Sequence, residues 1–385
     1  MSTAVSVTAT ADRPITDERR EFADTLRGLL DRWCPTSVVR ELKDAPASLA
    51  STPLWRQLTE TGVFGLVVAE NVGGVGAQFD DLAVVALEGG RALLPLPVLS
   101  TAVFGLAIQT LAGAELGAAL LPEVVAGRHV GQAVLSDAGD AERRVPELIA
   151  IRVPGGWALS GALWFVDAPA DLLLVTATPD TMPTGTVLGF VLDPGAPGCE
   201  RQPLPTIAGA GHVAVHLQDV FVADERVLAG TTGTGLADED LALITRLLTI
   251  LRCLDAAGGC AAVIDRTAEH LRTREQFGRP IGTFQAAQHL MADMHIAAAK
   301  SRLTALAAAR ALTAGRAARR EVAVAAFQAA RSYPFVTLTA HQLHGGMGFV
   351  RETDLHLWSE RAKLDEILGG AADTALAWLA EEIIG

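Results

Sequence analysis

From Leu236 to the C-terminus the chain reads as nearly unbroken helix, interrupted at Gly278-Arg279-Pro280, at Gly315 and at Gly345-Gly346-Met347-Gly348. Glycine and proline end helices because one lacks a Cβ and the other lacks an N–H. The breaks divide the stretch into Asp240–Gln276, Thr283–Ala314, Ala317–His344 and Thr353–Ile384. Long helices joined by short turns run antiparallel and bury their apolar faces against one another, so residues 236–385 are expected to form a four-helix bundle. Their alanine content lets the helices approach closely.

Two other textures precede the bundle. Residues 16–128 read as a helical domain of short elements. Asp17 is placed to cap a helix starting at Glu18, and Phe22, Leu26, Leu29, Leu30 and Trp33 recur on one helical face. Leu54, Leu58 and Val63 mark another helix, closed by Gly62, and Asp80–Leu93 and Thr101–Ala112 mark two more. In residues 129–232 the period changes to two. Gly156–Gly161, Leu172–Thr176, Val187–Leu192 and Val213–Leu217 read as strands, with Pro-Gly pairs between them. The expected fold class is therefore α+β and mostly α: an N-terminal helical domain, a small antiparallel β domain, and the bundle. Residues 1–15 are expected to be a flexible tail.

Composition excludes several functions. The net charge is −13 with no basic run to offset it, which argues against a nucleic-acid partner. Cys34, Cys199, Cys253 and Cys260 form no CxxC, so neither a disulfide scaffold nor a metal module is expected, and the reading is cytoplasmic. Residues 1–14 have no basic and apolar regions of the kind a signal peptide needs. Ala92–Ala114 is long and uncharged, but Pro95 and Pro97 break its first turns, so it reads as a buried helix and no membrane span is expected.

Arg272, Arg274 and Arg279 crowd the turn between two long helices. Arginine suits bidentate contact with phosphate, and the next helix start adds unpaired N–H groups. Taken alone, the cluster reads first as helix-end charge beside a turn. His344-Gly-Gly-Met-Gly348 is a glycine-rich break that follows a helix, unlike a dinucleotide fingerprint. His341 and His344 lack nearby carboxylate ligands, so no metal site is assigned, and Ser136 lacks a nucleophile elbow.

Arg274-Glu-Gln-Phe-Gly-Arg-Pro-Ile-Gly-Thr-Phe-Gln285 and Gln342-Leu-His-Gly-Gly346-Met-Gly-Phe349 together resemble the signatures of the flavin-dependent acyl-CoA dehydrogenases. Gly62–Gly76, Leu87-Glu88-Gly-Gly-Arg-Ala-Leu-Leu-Pro95, Trp157–Val166 and Asp219–Leu228 are similar to further family segments, in order along nearly the whole chain. The resemblance implies α,β-dehydrogenation of an acyl-CoA thioester. A glutamate takes the α-proton while hydride passes to FAD, and an electron-transfer flavoprotein or another acceptor reoxidises the flavin. Of the family's two positions for that glutamate, one falls on Gly369, by register from Arg361-Ala362-Lys363. The other, counted back from Arg274, falls on Leu248, followed by Thr249. Neither is an acid, and no catalytic residue is assigned. Asp255, on the Leu248 face of its helix, is the alternative base, set against a pairing with Arg252.

The resemblance further implies that each FAD lies between two chains. The segments that would hold a chain's own isoalloxazine are Leu135–Ala141, Phe165–Asp167, and Ala371 with Asp373. All depart from the family pattern, and Asp140, Asp167 and Asp373 add negative charge. The set given to a neighbour's FAD is intact: Arg274, Phe277, Gln285, Gln342 and Gly346. This asymmetry matches the base-lacking subunit of heteromeric (α2β2) actinobacterial steroid side-chain enzymes, whose partner subunit brings the glutamate. Two alternatives stay open: a self-sufficient homotetramer using Asp255, and a non-catalytic homologue that binds acyl-CoA or an acyl carrier.

Overall fold

The computed structural model describes residues 16–144, 148–183, 185–229, 235–368 and 371–384. The expected tail and Gly369 lie outside them. Six helices come first: α1 (Asp17–Trp33), α2 (Thr36–Asp44), α3 (Pro53–Glu60), α4 (Phe79–Ala92), α5 (Pro97–Leu111) and α6 (Ala114–Val125). The cap of α1 is Thr16, whose hydroxyl accepts from the Arg19 N–H at 3.3 Å. Asp17, expected as the cap, sits instead in the first turn, where its charge favours the helix dipole. Pro97 occupies the first turn of α5, where a missing N–H costs nothing.

The sheet domain contains β1 (Gly131–Val134), β2 (Ser136–Asp137), β3 (Asp140–Arg144), β4 (Leu148–Val153), β5 (Gly156–Asp167), β6 (Leu172–Pro179), β7 (Leu188–Leu192), β8 (Cys199–Thr206), β9 (Gly209–Ala223) and β10 (Val227–Leu228). The main sheet runs β10-β7-β6-β4-β5-β9-β8, with β1 also on β6, and β2–β3 is a separate hairpin. The sheet is mixed, and not purely antiparallel as expected, because β1 and β4 both pair parallel to β6. Alternation of side chains reports a strand but not its direction, which the connections decide.

The C-terminal half contains α7 (Asp238–Thr273), the short hairpin β11 (Glu275–Gln276) and β12 (Arg279–Pro280), then α8 (Gln285–Thr313), α9 (Arg319–His344), α10 (Leu355–Leu368) and α11 (Ala372–Ile384). The last expected helix is thus two helices, with Gly369-Gly370 between their ends. At 36 residues, α7 is the central element, packing on α4, α8 and α9. Among the described residues it is also the helix long and apolar enough to cross a bilayer. Because 78% of that window is buried inside the protein, α7 is a core helix.

Two glycines, Gly90 and Gly258, let α4 and α7 touch backbone to backbone. A Cβ on Gly90 would lie 1.9 Å from the Asp255 carbonyl oxygen, and one on Gly258 would lie 2.0 Å from that of Leu87. The next residue of α7, Gly259, makes room for the Tyr333 ring of α9.

Candidate functional site

The five residues of the neighbour-facing set lie at one end of the bundle. Arg274 ends α7: its N–H donates to the His270 carbonyl at 2.9 Å, and its carbonyl accepts from the Ile281 N–H at 2.9 Å. The backbone is fixed, while the side chain is exposed and has no ion-pair partner among the described residues. Phe277 and Gly278 form the two-residue turn of β11–β12, both with positive φ (55° and 75°). For phenylalanine that conformation is strained, yet the ring is 93% exposed, edge-on to Phe284 at 6.0 Å. Gln285 opens α8 and is exposed. The α9 end reaches the same place because the His344 ring stacks on His270 at 4.2 Å. Gln342 is in that last turn, and nothing lies within 4 Å of a Cβ built on Gly346. His341 braces this glycine turn, donating through Nδ1 to the Gly348 carbonyl at 2.7 Å while Nε2 accepts from Ser359 at 2.5 Å.

The own-chain segments meet elsewhere, between the sheet domain and the first half of α7. Leu135–Ala138, Ala141, Phe165, Leu248, Thr249, Arg252 and Leu368 surround a cavity of about 40 Å³. That is well below the ~300–1,000 Å³ of ordinary ligand pockets, and an adjoining space of about 220 Å³ shares Leu135, Ser136, Ala141 and Thr245 with it. Side chains close it. Gln132 bridges β1 to β5, accepting from the Asp167 N–H at 2.7 Å and donating to the Phe165 carbonyl at 3.4 Å. The Arg252 guanidinium donates to the Leu368 carbonyl. The β2–β3 hairpin is tied down by the chain's own helices. Asp140 accepts from the Trp378 indole at 2.8 Å, and Glu142 accepts from Arg246 at 2.7 and 2.9 Å and from Arg319 at 3.1 Å. Asp167 is buried beside His212 at 3.6 Å, and burial lowers the His212 pKa. Asp373 lies exposed in the first turn of α11 and does not line the cavity.

Asp255 does not pair with Arg252. It is 0% exposed and held by Arg361 of α10, whose Nε and Nη2 donate at 3.1 and 3.3 Å. The pairing expected three residues away gives way to one made through the tertiary structure. Leu248, Thr249 and Arg252 line the cavity, whereas Asp255 does not. Asp365, one turn beyond Arg361, meets no hydrogen-bond donor. Burial first, and then the neighbouring Asp255 charge, raise its pKa well above the ordinary carboxyl value. Both causes disfavour the ionised form of this carboxyl.

Comparison with known proteins places these sites in a family. The profile of the N-terminal domain of acyl-CoA dehydrogenases matches residues 16–128, and that of their C-terminal domain matches residues 242–384, together well over half of the chain. The chain belongs to the acyl-CoA dehydrogenase family. Acyl-CoA dehydrogenase IpdE2 of Mycolicibacterium smegmatis is 28% identical over 353 residues, covering 90% of this chain and 93% of that protein. Acyl-CoA dehydrogenase FadE27 of Mycobacterium tuberculosis is 29% identical over 389 residues, covering 97% and 98%. A chain of the ChsE4-ChsE5 complex from M. tuberculosis superposes with a TM-score of 0.83 at 27% identity, covering 98% of this chain and 99% of its own. A variant of the Tcur3481-Tcur3483 steroid acyl-CoA dehydrogenase does so with a TM-score of 0.83 at 28% identity, covering 96% and 99%. Members of the family generally bind FAD and oxidise CH–CH bonds. For an acyl-CoA dehydrogenase, the side chains that close the cavity are the unexpected finding. Gln132, Arg252 and Leu368 come together only in the fold, and no local motif marks them.

The stacked histidines give the bundle end a pH dependence. Neither ring nitrogen of His344 has a hydrogen-bond partner. Burial, then the charges of His270, His341 and Arg266, push its pKa down from 6.5 to about 4. A base whose folded pKa is depressed is bound neutral, so its contribution is present above pH 6.5 and is lost as pH falls toward 4. The ring is only half-buried, and after discounting for solvent screening the loss is about 1 kcal/mol. His344→Phe keeps the stack without the titration. Melting curves between pH 7 and 5 should therefore fall less steeply for that variant than for the wild type. Equal slopes would remove His344 from the acid response.

Proposed function

We propose that this chain is the base-lacking subunit of a heteromeric, FAD-dependent acyl-CoA dehydrogenase. The observation that carries the reading is the contrast between its two half-sites. The own-chain cavity of about 40 Å³ does not admit an isoalloxazine. The neighbour-facing residues are exposed and their backbones are fixed. FAD held there would supply the hydride acceptor. Arg274 would pair with its pyrophosphate, Phe277 would pack on it from a turn held in a strained conformation, and Gln285 and Gln342 would hydrogen-bond it. Gly346 would let the main chain approach. The α-proton would go to a glutamate of a homologous partner subunit, because Leu248 is apolar and Asp255 is sealed from the cavity. An electron-transfer flavoprotein or another acceptor would take the electrons. The named relatives, a two-chain complex and a steroid acyl-CoA dehydrogenase, support an α2β2 assembly acting on a steroid side-chain thioester.

The test is co-expression with a family member that keeps the glutamate, followed by anaerobic flavin bleaching with a panel of acyl-CoAs. Flavin should stay bound and bleaching should vanish when the partner's glutamate is removed, while Asp255→Asn should bleach normally. Bleaching that survives loss of the partner's glutamate and disappears in Asp255→Asn would overturn the reading. If no partner restores turnover, the chain is a non-catalytic binding homologue. Within the complex, Arg274→Ala should weaken flavin binding. A charge-assisted contact is worth about 1.5–3 kcal/mol, roughly ten- to a hundredfold. Arg274→Lys should recover only part, lacking the planar fork. Full flavin retention after long dialysis of Arg274→Ala would reduce Arg274 to a helix-end charge.

A further inference from the structure

The turn that follows α9 is held by one side chain. Gly345 caps the helix with φ 58° and ψ −138°, a combination open to glycine, and the chain reverses there. A Cβ on Gly348 would lie 2.7 Å from the His341 carbonyl oxygen, so the turn packs down on the helix it leaves. Among the described residues, His341 is the only one whose side chain hydrogen-bonds to residues 345–349. It is 8% exposed, and the Phe349 ring stacks on it at 5.3 Å. The Gly348 carbonyl can only accept, so Nδ1 carries the ring proton. Nε2 accepts from Ser359 at 2.5 Å, far closer than the 3.5 Å from the same hydroxyl to the Leu355 carbonyl. Ser359 stands on α10, which is anchored by the buried Leu355, Leu357 and Trp358 and by the Arg361–Asp255 pair. A fixed helix thus sets the tautomer of a ring whose other nitrogen holds the turn.

We propose that His341 is a positioning residue for the neighbour-facing site: its Nδ1 proton fixes the turn from which Gln342 and Gly346 meet the flavin. The inference rests on the proposed function and adds a determinant to it. Gly346 is exposed, with nothing within 4 Å of a Cβ built on it, so packing does not place it. Its place is set from beneath. His341 precedes Gln342 in the chain and bonds to the far end of the same turn, so one side chain ties both flavin-facing residues into one geometry. Order present before binding removes an entropic cost from binding. An apolar residue at position 341 would fill the same space but leave the Gly348 carbonyl without its donor and the turn free to shift.

The test separates the two ring nitrogens. The amide nitrogen of asparagine lies where histidine carries Nδ1, and that of glutamine lies near the place of Nε2. His341→Asn therefore keeps the donor to Gly348, and His341→Gln keeps the contact with Ser359. Amide hydrogen exchange of residues 343–352, read by mass spectrometry on the chain alone, should be faster than wild type in His341→Gln and unchanged in His341→Asn. In the complex with a glutamate-bearing family member, FAD titration should show binding weakened about three- to tenfold in His341→Gln and by no more than about twofold in His341→Asn. A role in packing alone would cost the two variants equally. If His341→Gln does not fold, Ser359→Ala, which releases the tautomer, should speed exchange of the turn and weaken FAD binding about two- to fivefold. The positioning role is overturned by equal losses in the asparagine and glutamine variants, or by wild-type FAD affinity in folded His341→Gln or in Ser359→Ala. A wild-type complex that takes up no FAD would instead overturn the proposed function, and this inference with it.

Discussion

Purified without a partner, this chain should carry little flavin and oxidise no acyl-CoA, and placing a carboxylate at either family position should not change that. The variants are Leu248→Glu, on the cavity wall, and Gly369→Glu, at the loop position set by register. General-base catalysis alone contributes only about 10²–10⁴-fold, and it is useful only with a hydride acceptor on the far side of the substrate. Under the proposed function, side chains of this chain occupy the acceptor's place. Phe165 and Arg252 line the remaining 40 Å³, Gln132 bridges two strands across it, and Trp378, Arg246 and Arg319 hold the β2–β3 hairpin closed. A glutamate at position 248 would face this small cavity. The measurements are flavin absorbance of the purified chain and steady-state turnover with an artificial electron acceptor. Stoichiometric flavin in the wild-type chain, or turnover in either variant, would contradict the account.

Arg361→Leu should be the most destabilising single change in the bundle. It removes the guanidinium that holds the fully buried Asp255 carboxylate, and breaking a buried pair from one side costs about 3–5 kcal/mol. That is a large share of the ~5–15 kcal/mol of a typical domain. The same change removes a donor to the Leu94 carbonyl, which leads from α4 toward α5. Asp365→Asn should behave oppositely. Its folded-state pKa is raised, so the unfolded chain ionises this carboxyl first, and its contribution falls as pH rises above the ordinary 3.8. An amide does not ionise. Asp365→Asn should therefore match or exceed wild-type stability at neutral pH, with the difference growing between pH 5 and 8. Urea denaturation followed by circular dichroism reads both effects. Loss of less than about 1 kcal/mol in Arg361→Leu would mean that Asp255 finds another partner or leaves the core.

The signals legible along the chain were those carried by neighbours in sequence. The helix breaks at Gly315 and Gly345, the strands at Gly156 and Leu172, and the exposed end of the bundle with Arg274 and Phe277 follow from local conformational preference and short motifs. Where the reading missed, the deciding contact was remote. The sheet is mixed because β1 and β4 find β6 through long connections, and side-chain alternation is the same in either direction. Asp255 was open to two local readings, a pair with Arg252 or a free base, yet it is bound by a residue 106 positions away.

Sequence by itself carried the family, the order of helical and sheet domains, and the absence of an acid at Leu248 and Gly369. Only the tertiary structure decided that Leu135–Ala138, Phe165 and Leu248 meet around a small cavity and that Asp255 is buried against Arg361. Helix ends, turns and motifs are fixed by interactions within a few residues. Cavity volume, ion pairing and desolvation depend on side chains brought together from α4, α7, α10 and the sheet. For those properties, what matters is which groups exclude water from one another, and a linear pattern does not contain that.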